Sequence, residues 1–283
     1  MTIEVKKTYK LFIGGKFPRS ESGRSFNPTG AAGFNVPRAS RKDLRDAVVA
    51  ARAAQPKWGE LTAYNRGQIL FRMAEMVATR ARSLADEIRA GNRCTQQAAE
   101  KQVMAAHDLL TFYAGLPDKL QQLLGSQNEV AGPYFNFSTV EPVGVVGAVS
   151  PDQPSLLGAL AMSIPVIAAG NTVILVVSEE SPLPGLALGE LFAVSDLPGG
   201  VINLLSGHRE EILPEVVAHR DVDGLLIAGA PDASLSEPAA DSVTRVRFVD
   251  LPERDWHKPD KLCSLHFVRP FVETKTFWHP VAQ

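Results

Sequence analysis

Cysteine is nearly absent. Cys94 and Cys263 are the two thiols in 283 residues, which excludes a disulfide framework and makes a reducing, cytoplasmic location the expectation. Neither opens a metal-ligand spacing, and the six histidines are scattered without one, so no metal site is expected. A surplus of one charge is missing as well. The 29 Lys and Arg against 31 Asp and Glu leave a formal net charge of -2, and without a dense basic block nucleic acid and anionic membrane surfaces are excluded as partners. The longest apolar stretch, IPVIAAGNTVILVV, is interrupted by Gly170 and Asn171, and the opening MTIEVKKTYK has no apolar core of a signal peptide. Neither reads as a membrane span or a secretion signal.

What is present is a large apolar fraction, 45% of residues, arranged in two periods. Over the first third, Ser40 and Asp43 form a capping-box pattern ahead of Leu44, Val48 and Ala51, and further helices are expected after Thr62, near Leu84 to Ala90 and after Thr95. From Tyr134 the period becomes two: YFNFSTV sets Phe135 and Phe137 against Asn136 and Ser138, the pattern of a half-exposed strand in a β-ribbon. Then Val- and Leu-rich strands alternate with apolar helices: strands at 143–149, 172–177, 201–205 and 224–227, helices at 156–168, 183–194 and 210–218. The fold class is therefore α/β, a Rossmann-like doubly wound parallel sheet with an N-terminal helical layer and a β-ribbon. Ligands of such sheets sit at the carboxyl ends of the strands, here SPDQP, SEESP, SGHRE and AGAPDAS. Beyond Gly229 a surface loop is expected through PDASLSEPAADS, one more strand at TRVRFVD, a polar connector, and a final strand whose apolar groups on both faces need a cover.

The cadence of a nucleotide-binding βαβ unit at SPDQPSLLGALAMSIPVIAAGNTVILVVSEESPLPG comes without a lysine and without a glycine-rich loop. Together with NPTG, VPRAS, VVAARAAQPKWGELTAYNRGQIL, VEPVGVVGAVSP, LPGGVINLLSG and HRDVDGLLIAG it resembles the aldehyde dehydrogenase superfamily over residues 10 to 230, and FVETKTFWH resembles the family's C-terminal oligomerisation strand. The resemblance implies a shortened member. Residues 1–132 and 149–229 would form a degenerate nucleotide-binding-like domain, 133–148 and 264–283 an oligomerisation ribbon with its terminal strand, and 230–263 a connector in place of the catalytic domain. Some 35 extended residues reach on the order of 115 Å, so such a bridge is physically easy.

The same resemblance implies what the chain has lost. The family's cysteine nucleophile and carboxylate base belong to the missing portion, and neither Cys94 nor Cys263 is expected to replace the thiol. The family's oxyanion asparagine falls at Gln153, one methylene longer and beside Asp152, whose charge would oppose an oxyanion; a solvated loop is the simpler reading of the two. The ribose-binding lysine falls at Val176, leaving Glu179, for which a carboxylate facing a helix dipole is the alternative role. Of the family's Gly-Ser-Thr loop only Gly229 remains, and Pro231 lacks a backbone donor. No catalytic residue is assigned, and Glu179 and Gly229 are remnants of a cofactor site. Tight NAD or NADP binding is not expected; a weak remnant is what these residues leave. The expectation is a noncatalytic subunit, a structural or regulatory partner of a full-length aldehyde dehydrogenase or of itself. The alternative is a residual NAD(P)-binding aldehyde oxidoreductase.

Overall fold

A computed structural model describes residues 7–31, 33–241 and 244–281; the first six residues of the opening stretch lie outside them. The short strands β1 (Ser25–Phe26) and β2 (Val36–Pro37) pair with each other before the helical layer begins. α1 (Arg41–Glu60) starts on the expected capping box: the Ser40 hydroxyl accepts from the Asp43 N–H while the Asp43 carboxylate accepts from the Ser40 N–H. α2 (Ala63–Thr79) and α4 (Gln96–Ala114) are capped by the hydroxyls of Thr62 and Thr95, with α3 (Ala81–Asn92) between them. Val103, Ala106, Leu110 and Tyr113 of α4 are buried, as their helical spacing requires.

A short α5 (Leu120–Leu124) leads into β3 (Ser126–Asn128) and the nine-residue β4 (Tyr134–Pro142). The alternating core follows as β5 (Val145–Val149), α6 (Ser155–Ala168), β6 (Thr172–Val176), α7 (Pro182–Phe192), β7 (Ile202–Leu205), α8 (Arg209–Val217) and β8 (Gly224–Ala228), each within two residues of its expected bounds. β5, β6 and β7 are buried throughout, and so is every residue of α6. Strands covered on both faces have no use for polar alternation, which is why they read as unbroken Val, Ile and Leu.

Residues 230–263 differ from the loop and connector expected there. PDASLSEPAAD contains α9 (Ala233–Asp241) despite Pro238, and β9 (Arg245–Val249), the extra strand anticipated at TRVRFVD, pairs in parallel with β8. The five strands run β7-β6-β5-β8-β9, all parallel. Chain direction across the sheet therefore reverses between β5 and β8, the switch point at which such sheets open a crevice.

The stretch after β9 is packed rather than extended. Trp256, Leu262, Phe267, Val268 and Phe271 are buried, Leu262 within the one-turn α10 (Pro259–Leu262). The Tyr113 hydroxyl donates to the Leu262 carbonyl at 2.7 Å, and Asn171 Nδ2 donates to the Phe271 carbonyl at 2.9 Å. Asn171 also accepts from the Gly144 N–H, and neighbouring Gly170 has φ +96°, so this pair serves the turn into β6. β10 (Val272–Pro280) then pairs antiparallel with β4 along its whole length, giving a second sheet of order β10-β4-β3.

That ribbon inverts the expected polarity. Asn136 and Ser138 are covered, while Phe135 and Phe277 are 43% and 46% exposed. Side-chain hydrogen bonds make the inversion affordable: Asn128 Nδ2 donates to Asn136 Oδ1 at 2.6 Å and to Ser138 Oγ at 3.0 Å, and Ser138 bonds Thr276 across the strands. Outside, Phe135, Phe137 and Phe277 form a row with ring centroids 5.4 and 5.2 Å apart.

Candidate functional site

The carboxyl ends of β5, β6 and β7 bring Asp152, Glu179 and the pair His208–Arg209 together. Arg209, the first residue of α8, reaches back across the end of β6. Its Nη1 and Nη2 donate to the two Asp152 carboxylate oxygens, both at 2.9 Å, and Nη2 donates also to the Ser150 carbonyl at 2.7 Å. Asp152 Oδ1 accepts further from Ser178 Oγ and from the N–H of Glu179, each at 3.1 Å, and the Glu180 N–H lies at 3.4 Å. A carboxylate offers about four acceptor sites, so this one is filled.

Glu179 is filled too. His208 Nδ1 donates to Oε1 at 2.7 Å, since an ionised carboxylate only accepts, and the Arg209 N–H donates to Oε2 at 2.9 Å. Glu179 thus sits on the N-terminus of α8, where a negative charge is favoured by the helix dipole. The sequence offered Glu179 as a carboxylate facing the dipole of the helix that follows it; the helix whose N-terminus it meets is instead α8. Burial pushes the Glu179 carboxyl upward, and the Arg209 amide, the His208 ring and the Arg209 charge together outweigh it, leaving the group below the usual carboxylate range. The His208 ring is seated against Phe26, centroids 5.1 Å apart.

Gln153 is neither free nor merely solvated. It forms a reciprocal amide pair with Asn92, Nε2 donating at 2.9 Å and Oε1 accepting at 2.8 Å, and Asn92 Oδ1 accepts also from the Ser181 hydroxyl. The end of α3 is therefore clamped to the strand ends, and Cys94, two residues beyond Asn92, stands nearer this edge than its sequence position suggested. Cys94 is partly buried against the main core. Cys263 lies in the packed C-terminal segment, where burial, then the Asp108 and Asp260 charges, push its thiol up to about 11, the wrong direction for a nucleophile. Among the described residues no group of three or more His, Cys, Asp or Glu is placed to hold a metal.

The remnants named for a dinucleotide do not fit one in this arrangement. Glu179 is engaged by His208 and Arg209, Val176 is buried within β6, and the Gly229 N–H donates to the Val249 carbonyl at 3.0 Å. Gly229 itself keeps φ +130° and open space where a Cβ would stand. His208, Arg209 and Asn92 were not singled out from the sequence as site residues; the signal was the opposite charge of SGHRE facing Asp152 and Glu179 at neighbouring strand ends.

The family model described as the aldehyde dehydrogenase family matches residues 17–246. The chain belongs to the aldehyde dehydrogenase family. This family member is 32% identical over 248 residues to the putative aldehyde dehydrogenase DhaS of Bacillus subtilis, covering 84% of this chain and 50% of that protein. It is 33% identical over 238 residues to retinal dehydrogenase 2 of Mus musculus, covering 81% and 45%. The NAD+ complex of an aldehyde dehydrogenase from Bacillus cereus superposes with TM-score 0.80 at 26% identity, covering 88% of this chain and 53% of that one. The chain spans about half the length of the relatives it matches. No helix among its described residues is long and apolar enough to cross a membrane.

Proposed function

We propose that this aldehyde dehydrogenase relative is a noncatalytic subunit, a structural or regulatory partner in a homo- or hetero-oligomer, most naturally beside a full-length aldehyde dehydrogenase in the cytoplasm. The observation that carries the reading is the self-satisfied strand edge. Asp152, Gln153, Glu179 and Gly229, the positions that would serve oxyanion and cofactor, spend their polar atoms on Arg209, Asn92, His208 and Val249. Meanwhile the ribbon keeps an aromatic face in water, a poor arrangement for a lone chain and a useful one for an assembled subunit.

Titration calorimetry with NAD and NADP, together with an aldehyde oxidation assay on purified chain, tests the reading. No binding in the low micromolar range and no turnover are expected, with co-purification when the chain is expressed beside a full-length family member. Low-micromolar NAD or NADP binding with turnover that persists in Cys94→Ser and Cys263→Ser would establish the residual oxidoreductase instead, and turnover that vanishes with either thiol would equally overturn the noncatalytic reading.

A further inference from the structure

β10 has one open edge, and its register states which atoms that edge offers. The β4–β10 ladder continues at both ends, with the Val143 N–H donating to the Phe271 carbonyl and the Val281 N–H to the Pro133 carbonyl. In an antiparallel ladder hydrogen-bonded pairs alternate. Residues 273, 275, 277 and 279 therefore turn their peptide groups to β4, and Val272, Thr274, Thr276, Trp278 and Pro280 turn theirs outward. Arg245 agrees with this parity, since its Nη1 donates to the Val272 carbonyl at 3.1 Å.

We propose that this edge pairs with β10 of a second copy of the chain, antiparallel, about a two-fold axis through Thr276. The proposal rests on the ribbon being an assembly surface, and it names the partner and the register. The strand is complementary to itself in that register. Thr276 would exchange N–H···O bonds with the second copy's Thr276, and Thr274 with its Trp278. At the ends Val272 meets the second copy's Pro280, which has no N–H to give. The Val272 carbonyl needs none, because Arg245 already supplies it.

Side chains agree with the backbone. Glu273 falls opposite His279 and Lys275 opposite Phe277 of the second copy, in the non-hydrogen-bonded pairs where side chains approach most closely. Glu273, already paired with Arg245, faces the second copy's His279, no like charges stand directly opposite, and Lys275, diagonal to the second copy's Lys275, keeps Glu141 as its own counter-ion. The row Phe135–Phe137–Phe277 becomes continuous with the second copy's row, because Phe277 has the other Phe277 as its diagonal neighbour. A one-residue slip would aim the odd residues, already bonded to β4, at the partner; a two-residue slip keeps the parity but shortens the row of outward pairs by one, and about Lys275 it sets two lysines face to face.

The test uses the full chain in a Cys94→Ser, Cys263→Ser background under mild oxidation. Thr276→Cys is expected to give a disulfide-linked dimer rapidly, its paired Cα atoms lying about 5.5 Å apart. Thr274→Cys, whose symmetry mate stands about 13 Å away, is expected to stay unlinked. In sedimentation equilibrium the parent chain should be dimeric at tens of micromolar. Thr276→Pro, which removes an outward N–H and leaves the β4 ladder intact, should weaken association about a hundredfold. A monomeric parent, equal crosslinking at both positions, or an undiminished dimer in a folded Thr276→Pro overturns the pairing. A monomer that still co-purifies with a full-length aldehyde dehydrogenase defeats this pairing alone. A crosslinked dimer, together with aldehyde oxidation by the parent chain that is lost in Cys94→Ser or Cys263→Ser, defeats the noncatalytic reading alone.

Discussion

Arg209 shows how one side chain can close a crevice. It holds both oxygens of Asp152 and a strand-end carbonyl from a partly buried position, the two side chains 26% and 31% exposed. Breaking such a pair strands its partner, so Arg209→Ala should cost about 2 to 3 kcal/mol in urea denaturation. Glu179 adds a pH dependence. Its folded pKa is depressed, so its contribution is present above the unfolded value, about 4.3, and is lost as pH falls through the lower folded value. The urea midpoint of the parent should therefore drop on acidification below about pH 4.5, and Glu179→Gln should flatten that part of the profile. The positions of Asp152, Gln153 and Glu179 at the strand ends were legible in the sequence. Their partners were not, because Asn92 and Arg209 approach from helices distant in the chain and no local spacing records that meeting.

Elements built on one dominant period were the most readable. The strands and helices of the parallel sheet follow from blocks of Val, Ile and Leu, and α1 from Ser40 and Asp43. Ser40→Ala removes the hydroxyl that accepts the Asp43 N–H and should lower stability by about 1 kcal/mol, read by thermal denaturation. α9 was less readable, because Ser, Pro and Asp dominate a segment whose buried contact is Ala239. The ribbon misled in a different way. Alternation gave the strand, but which face is inside depends on side chains such as Asn128 and Thr276 from its two neighbours. Period two places residues on faces and does not say which face is covered.

Across the whole molecule, the C-terminal segment closes the core that the helical layer and the sheet leave open. Phe271 is fully buried, and a Cβ on Gly224 would approach its ring to 2.9 Å, so the ring lies directly on the start of β8. Phe271→Ala should cost about 3 to 5 kcal/mol by urea denaturation, with faster amide exchange along β8. The sequence read as a connector up to residue 263 and as ribbon and terminal strand from 264, whereas Trp256, Leu262, Phe267 and Phe271 are core anchors and the strand begins at Val272; anchors spaced irregularly between polar residues carry no period. The inverted ribbon has a consequence for the living cell. A newly synthesised chain with no full-length subunit against that face leaves Phe135 and Phe277 wetted, the kind of patch that chaperones and proteases survey. Its abundance should then track the supply of the full-length subunit that shields that patch, rising when that subunit is overproduced and falling when it is withdrawn, with no change in its own synthesis.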